Sequence, residues 1–411
     1  MAQALELARK GIGLTSPNPN VGAVIVDASG DNIVGRGIHT YDGKTHAEIH
    51  ALNEAGEKAR GGTLYINLEP CCHQGRTPPC VDEVMRSGIT RIVLAMRDPN
   101  PLVSGRSIEK LEAAGIEVQV GTEEREAQRL NEAFAKYIRQ RRPLVTLKAG
   151  MTLDGKIAPP PGESDIVSAL GSGAAGSGWI TSERAREHAQ ELRHASDAIL
   201  VGVGTVIADD PLLTDRTGEA RRRRLLRVIL DSRLRLPLDS RIVKTAREDV
   251  IVFCSFAEEK KRAALEGRGI RVQQIPLGGR DGRPDLERVM ERLGELEIAS
   301  VLVEGGALVN WAALAAGIVD KVFLYYAPKI LAGTGSVPFA AGAGFRRLSE
   351  AAQVHSLTLH RFGGTDDFAV EGYIRDPYAY EVAENSPATE AACATEPAEV
   401  AQGAGIKDRT D

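Results

Sequence analysis

The sequence predicts two α/β halves in tandem, and three observations lead there. The 411 residues exceed what one ordinary core holds. Short apolar runs bounded by glycine and proline alternate with stretches of helical spacing along most of the chain. The pattern restarts after a charged segment, Arg139–Pro143. The expected divisions are residues 1–142, residues 143–375 and a tail, 376–411.

The first half reads element by element. Ala4–Arg9 has helical spacing and is closed by Gly11 and Gly13. Ser16-Pro17-Asn18-Pro19-Asn20 is turn chemistry. Val21–Val26 and Ile33–Gly37 read as strands joined through Asp27–Asn32, and a loop with His39 follows. Ala47–Lys58 places Ile49, Leu52 and Ala55 on one helical face. Thr63–Leu68 is a strand, Cys80–Ser87 a helix and Ile89–Ala95 a strand. Ile108–Ala114 is a helix, Ile116–Val120 an edge strand, and Glu123–Ile138 one helix with a polar outer face. The result is a small α/β sandwich.

The second half repeats the theme. Strands are expected at Leu144–Lys148, Ala198–Val203, Leu226–Ile229, Val250–Phe253, Val272–Ile275, Ser300–Val303 and Val322–Tyr326. Ala198–Val203 is apolar throughout, as a strand of a buried parallel sheet is. Helices are expected at Ala185–Ala195, Leu286–Leu293 and Ala307–Ala316. Beyond Pro377 the chain turns to Ala, Glu, Thr and Pro without period and is expected to be disordered.

Composition narrows the class. Aromatics at 4% leave little for base-stacking platforms. The net charge of −5 resides in residues 381–411, with seven acidic and two basic residues, so the body is neutral and gives no reason to expect nucleic acid. Arg221–Arg224 is read as a solvated loop. Five cysteines make no disulfide framework. Three of them, Cys71, Cys72 and Cys80, fall within ten positions, which suits metal binding in a reducing compartment. Cys254, in an apolar run, reads as a buried small hydrophobe. Ala2–Lys10 is amphipathic rather than a signal sequence, and no long uncharged apolar run occurs. A cytoplasmic protein without a membrane partner is expected.

The chemistry concentrates in Thr45–Cys80. His46-Ala47-Glu48, then Pro70-Cys71 and Cys80, is the outline of a zinc nucleobase deaminase. An imidazole and two thiolates would hold Zn²⁺ and leave one position open, with His46, Cys71 and Cys80 as ligands. Glu48 would carry the proton from water to the ring and to the departing ammonia. Pro78 and Pro79 preset the backbone before the helix at Cys80, and a helix N-terminus favours a thiolate. A closed structural zinc site would need a fourth ligand, from Cys72 or His73. Cys72 adjoins Cys71 and reaches the same ion only with strain. The nine-residue Cys71–Cys80 step exceeds the two-residue spacer of the general nucleobase pattern.

In the second half the most telling stretch is Val301-Leu302-Val303-Glu304-Gly305-Gly306-Ala307, a strand, a glycine pair and a helix. Such a turn lets backbone amides approach a phosphate, although it is not the full dinucleotide fingerprint. Gly202-Val203-Gly204-Thr205 follows another strand, with Asp209-Asp210-Pro211 and Arg216 beyond it.

These stretches resemble the bifunctional riboflavin-biosynthesis deaminase/reductase family. The first half matches at Pro17–Gly22, His46-Ala47-Glu48, Leu68–Cys71, Gly75–Cys80 and Asp98-Pro99-Asn100. The nine-residue cysteine step is the family's own, while Cys72 stands where serine is usual. The second half matches at Leu147-Lys148-Ala149, Leu153–Lys156, Trp179–Ser182, Leu192-Arg193, Ala208–Pro211, Leu213-Thr214 with Arg216, Asp231-Ser232, Glu304-Gly305-Gly306 and Ala327-Pro328-Lys329. A glycine- and alanine-rich stretch near 166–176 departs from it.

The resemblance implies a cytidine-deaminase-like α/β sandwich joined to a dihydrofolate-reductase-like α/β domain. It implies that Asn20, His39, His73 and Glu48 face a pyrimidine ribosyl phosphate. It implies NADPH near Trp179, Thr205, Asp209, Ser232, Gly305, Gly306, Ala307 and Leu308. Ser177, Arg193, Leu213, Arg216 and Glu304 would meet the reductase substrate, with Arg193 and Arg216 suited to its phosphate. It further implies a homo-oligomer through the reductase half. Two alternatives remain open at this point: a cytidine- or tRNA-adenosine-type deaminase with an unrelated appendage, and a zinc-stabilised interaction module without catalysis.

Overall fold

The computed structural model describes residues 1–43, 45–72, 79–160, 178–278 and 282–379. Residues 1–378 form one compact unit.

The first sheet comprises β1 (Gly22–Val26), β2 (Ile33–Ile38), β3 (Thr63–Leu68), β4 (Arg91–Met96) and β5 (Glu117–Val120), ordered β2-β1-β3-β4-β5. β1 runs antiparallel to β2 and β3, and β3, β4 and β5 run parallel. Helices cover both faces. Against one face the helix Ala2–Arg9 crosses β1 so closely that a Cβ on Gly22 would lie 2.1 Å from Ala4 O. Against the other lies the helix Ala47–Ala55, whose Ala47, Ala51 and Ala55 form one small-residue face. That face meets β2 at Gly35 and Gly37, two residues apart and so on the same side of the strand. A Cβ at Gly37 would sit 1.8 Å from Ala47 O, and one at Gly35 would sit 2.1 Å from Ala51 O. Bare backbone at both positions is what lets the helix carrying His46 and Glu48 lie down on the sheet.

Two helices depart most from their expected spans. The helix beginning at Ala47 stops at Ala55, because Gly56 turns left-handed (φ 53°) and a 3₁₀ turn, Gly56–Ala59, follows. The single helix expected over Glu123–Ile138 is two, Glu124–Leu130 and Glu132–Gln140, broken at Asn131. Asn131 leaves the helical conformation to bind the Asn20 backbone, accepting from its amide (2.7 Å) and donating to its carbonyl (3.1 Å). A tertiary bond thus overrides local propensity there.

The second sheet begins with β6 (Leu144–Thr152), longer than expected; a short β7 (Lys156–Ala158) follows and belongs to a separate two-stranded sheet. The parallel strands β8 (Ala198–Gly202), β9 (Leu226–Leu230), β10 (Val250–Cys254) and β11 (Ile270–Gln274) follow, then β12 (Ser300–Val303) and β13 (Lys321–Ala327). β14 (Val337–Pro338) pairs with β7. The sequence analysis missed two closing strands, β15 (His355–Arg361) and β16 (Phe368–Tyr373), which run antiparallel on the edge beyond β13. The order is β11-β10-β9-β8-β12-β6-β13-β16-β15. Cys254 is fully buried, as expected.

The seam between the sheets is ionic. Lys136 on the helix Glu132–Gln140 pairs with Asp320 at 2.5 Å, and Asp320 also accepts the Val145 amide. Lys321 bridges Glu132 (2.7 Å) and Glu371 (2.6 Å), while the Tyr373 hydroxyl donates to Glu132. Order extends past the expected start of the tail at 376. The Tyr378 hydroxyl donates to Gln128 O at 2.9 Å, and its ring packs on the first core. Residues 380–411 lie outside the described residues. No helix among the described residues is long and apolar enough to cross a membrane.

Candidate active sites

The first site assembles at the N-termini of two helices. His46 is the N-cap of Ala47–Ala55, with an extended backbone that turns its ring toward the helix Cys80–Arg86. His46 Nδ1 lies 3.0 Å from Cys80 Sγ and 3.6 Å from Cys71 Sγ. The Cys80 amide donates to Cys71 Sγ at 3.3 Å. One donor atom from each of the three residues falls within 4.8 Å of the others. One imidazole nitrogen and two sulfurs are a zinc donor set, and the three residues present fit that ion.

The electrostatics point the same way. Donation from Cys80 and the His46 imidazole holds Cys71 down to about 4, and Cys80 is pushed up. The Cys71 sulfur in turn raises His46. Glu48, in the first turn of the helix, is 2% exposed, and its Oε1 lies 3.9 Å from His46 Nδ1. Burial raises the Glu48 carboxyl above its ordinary range.

Two supports escaped the sequence reading, although both lie within quoted motifs. Glu69 is buried and accepts from the amides of Asp98, Gly105 and Ser107, fixing the strand end that delivers Cys71. Asn18 donates to His39 Nε2 at 3.1 Å, while His39 Nδ1 donates to Thr45 O at 3.2 Å. The His39 ring is 5.2 Å from that of His46 and edge-on to it. Both His39 nitrogens therefore already have partners, and burial lowers its pKa toward the neutral form. The Asn20 carboxamide accepts from Thr15 and donates to Leu130 O. His73 lies outside the described residues.

The second site lies where the order of the large sheet reverses. β8 leads outward to β9, whereas β12, beside β8, leads across β6 to β13. Ligands in open α/β sheets bind at such a switch, at the carboxyl ends of the strands. β8 runs into the helix Val203–Asp209, and β12 into the helix Ala307–Ala315, capped by Gly306. A Cβ at Gly204 would meet nothing within 4 Å, and one at Gly306 would come no closer than 3.8 Å, to Thr205 Oγ1. Gly305 is glycine for another reason, since a Cβ there would lie 2.6 Å from Val309. Asn310 Oδ1, one turn into that helix, is buried without a partner. Bare backbone bordering open space at a helix start fits the phosphates of a dinucleotide. Ala307 opens the helix and Leu308 is 55% exposed. Asp209 is exposed at the end of the helix Val203–Asp209. The Ser232 carbonyl accepts from Ser255 and Phe256. Trp179 is 58% exposed under the Arg186 guanidinium, an open face rather than core packing.

Glu304 ends β12 inside an ion cluster. Arg193 clamps it with two bonds, Nε–Oε1 at 2.7 Å and Nη2–Oε2 at 3.0 Å, and Lys148 Nζ lies 3.6 Å from Oε2. The two cations overcome burial and hold the Glu304 carboxyl down to about 2. Arg193 Nη1 is also occupied, on Thr214 O. Its guanidinium is therefore committed inside the protein, whereas the sequence analysis had given it a phosphate. Arg216 is exposed, and its amide is fixed by Gln190. Leu213 is buried in a left-handed conformation (φ 53°), on a loop tied down by the buried Arg227 through Leu212 O. Lys148 went unassigned, although its motif had been noted. Ser177 lies outside the described residues.

The arginine run is a structural clamp rather than a solvated loop. Arg221 donates to the carbonyls of Arg193, His194 and Ser196, closing the helix Glu183–Ala195. Arg222 reaches the first half, and Arg223 bonds Glu297 O.

Comparison with known proteins finds relatives of both halves. Residues 1–96 match the cytidine and deoxycytidylate deaminase zinc-binding region, and residues 143–361 the RibD C-terminal domain. The riboflavin biosynthesis protein RibD of Aquifex aeolicus is 44% identical over 88% of this chain and 95% of its own length. That of Escherichia coli is 41% identical over 88% and 96%. Among solved structures, RibD of Acinetobacter baumannii superposes with a TM-score of 0.75 at 35% identity, covering 90% of this chain and 97% of that one. The diaminohydroxyphosphoribosylaminopyrimidine deaminase/5-amino-6-(5-phosphoribosylamino)uracil reductase of Thermotoga maritima gives 0.74 at 38% identity, covering 91% and 97%. Spanning nearly the whole of these relatives with both halves in the same order, the chain belongs to the RibD family of bifunctional riboflavin-biosynthesis deaminase/reductases.

Proposed function

We propose a residue-level division of labour for this bifunctional enzyme. The first half deaminates 2,5-diamino-6-ribosylamino-4(3H)-pyrimidinone 5′-phosphate. The second reduces the ribosyl group to ribityl with NADPH, giving 5-amino-6-ribitylamino-uracil 5′-phosphate. The division between halves is assigned to residues 142 and 143. The observation that carries the account is the convergence of His46, Cys71 and Cys80 beside the buried Glu48, in a chain that also carries the reductase half.

His46, Cys71 and Cys80 hold zinc, which when bound supplies the Lewis acidity that makes water a nucleophile near neutral pH. Glu48 takes the proton from that water, passes it to the ring nitrogen and later gives one to the departing ammonia. Its burial keeps those transfers away from bulk solvent. Asn20, His39 and His73 are assigned to the pyrimidine. For His39 this requires Nε2 to exchange Asn18 for the base.

In the second half, Trp179, Thr205, Asp209, Ser232 and Gly305–Leu308 are assigned to NADPH, which supplies the hydride. Ser177, Leu213, Arg216 and Glu304 are assigned to the sugar phosphate, with Arg216 as the phosphate ligand. Glu304, held ionised, accepts from sugar hydroxyls, and Arg193 keeps it aimed. A homo-oligomer through this half and a cytoplasmic location complete the reading.

Incubation of zinc-loaded protein with the diaminopyrimidine phosphate and NADPH tests it. Ammonia should appear first and NADPH absorbance should fall after it. NADPH consumption with no ammonia would overturn the deaminase assignment.

A further inference from the structure

The contact of Arg222 with the first half differs from the ionic contacts of the seam. The other cross-seam bonds of Lys136, Lys321 and Tyr373 join helix to sheet. Arg222 instead grips two loops. Its amide donates to Gly13 O (2.8 Å) and its Nη1 to Ser16 O (2.7 Å). Its guanidinium lies 3.3 Å from the centre of the Tyr41 ring, and Nε lies 3.8 Å from Asp42. The side chain is only 19% exposed. The same loop is held from the second half at another point, where the Ser16 hydroxyl donates to Asp197 (2.7 Å). Asp197 is itself fixed by the amides of Ala299 and Ser300.

These two loops flank the deaminase site. The loop at residues 13–16 runs on to Asn18, and the loop at 41–42 lies between His39 and His46. The Asn18–His39–Thr45 bridge joins them, and it ends on the carbonyl adjoining His46. A residue of the reductase half therefore holds the two loops that lead into the hydrogen-bonded bridge beside a residue of the zinc donor set.

We propose that Arg222 is a positioning residue for deamination, contributed by the reductase half. It holds loops 13–16 and 41–42 in register, so that the Asn18–His39–Thr45 bridge fixes the backbone at His46. The proposal rests on the assignment of His46 to the metal. Misplacement of a reacting group by about an ångström lowers rates by roughly a hundredfold, so a partial loosening should be visible in kinetics.

The test uses the full chain with Arg222→Ala, Arg222→Lys, Asn18→Ala and the Arg222→Ala/Asn18→Ala pair. Ammonia release and reduction of the deaminated substrate are measured separately, and zinc release to a chromophoric chelator is followed without substrate. Arg222→Ala should lower deamination roughly tenfold and speed zinc release severalfold, while reduction stays within about twofold. Lysine, which keeps the charge and one donor, should restore part of the loss. The double variant should be no worse than the poorer single one, because both act through one bridge. Unchanged deamination, a parallel fall in both half-reactions, or additive losses in the double variant would each overturn the proposal. If His46→Ala retains zinc and deaminates, the metal assignment itself fails, and that result is separate from any obtained at Arg222.

Discussion

Gly37→Ala is the sharpest test of how this fold builds its first site. The added Cβ would lie 1.8 Å from Ala47 O, and 2.8 Å from both Ala47 C and the Ala51 amide. Ordinary non-bonded contact requires roughly 3.5 Å, so helix and strand must part by about 1.5 Å. All three obstructing atoms are helix backbone, and no side-chain rotation relieves them. Overpacking of this kind costs about 1–3 kcal/mol. The functional effect should be larger, because Ala47 lies between His46 and Glu48. A displacement of that size should lower ammonia release by a hundredfold or more. Reduction, run on the other sheet, should hold. Gly363→Ala is the control: a Cβ there meets nothing within 4 Å and the backbone is not left-handed. The assay compares ammonia release, NADPH oxidation on the deaminated substrate, zinc content and denaturant midpoint for both variants. Wild-type deamination by Gly37→Ala would show that helix seating does not set the geometry of His46 and Glu48.

Glu48→Gln should retain zinc, measured by metal analysis, yet lose at least a hundredfold in ammonia release, since an amide cannot carry the proton. Glu304→Gln should abolish reduction and destabilise the protein by about 3–5 kcal/mol in denaturant titration, because Arg193 and Lys148 are left buried without their carboxylate. The pH dependence of that cluster follows from Glu304, whose folded value of about 2 lies below its ordinary 4.5. Its stabilisation, about 3 kcal/mol, is complete above about pH 4.5 and is lost as pH falls toward 2. The wild-type denaturant midpoint should therefore drop more steeply than that of Glu304→Gln over that window. Lys136→Met should destabilise the chain by about 3–5 kcal/mol by stranding Asp320, and adding Asp320→Asn should recover most of the loss.

Much of this was legible because local chemistry and tertiary structure agree. Apolar runs of the parallel core became strands near their expected limits, and the spacing of His46, Glu48, Cys71 and Cys80 named a metal site that the fold brings together. What was missed depends on partners distant in sequence. Asn131 interrupts a helix for a residue 111 positions earlier. β15 escaped because its alternation faces solvent on an edge, with Leu357 and Leu359 exposed, and so lacks the apolar signal of the core strands. Arg193 looked like a free phosphate ligand because nothing local reveals Glu304 opposite it. The arginine run looked solvated because its acceptors are carbonyls, which composition cannot display.

The path of the chain after β16 bears on how the protein matures. Tyr378 docks beside Gln128, and Arg139 donates to Pro377 O, so Pro377 and Tyr378 complete a surface laid down by the first third of the chain. On the ribosome, where N-terminal portions fold first, the deaminase half must wait with that seat vacant until more than two hundred further residues have emerged. A nascent chain cut short anywhere in the reductase half leaves its first half unfinished, and that defect is exposed to the proteases that survey incomplete products.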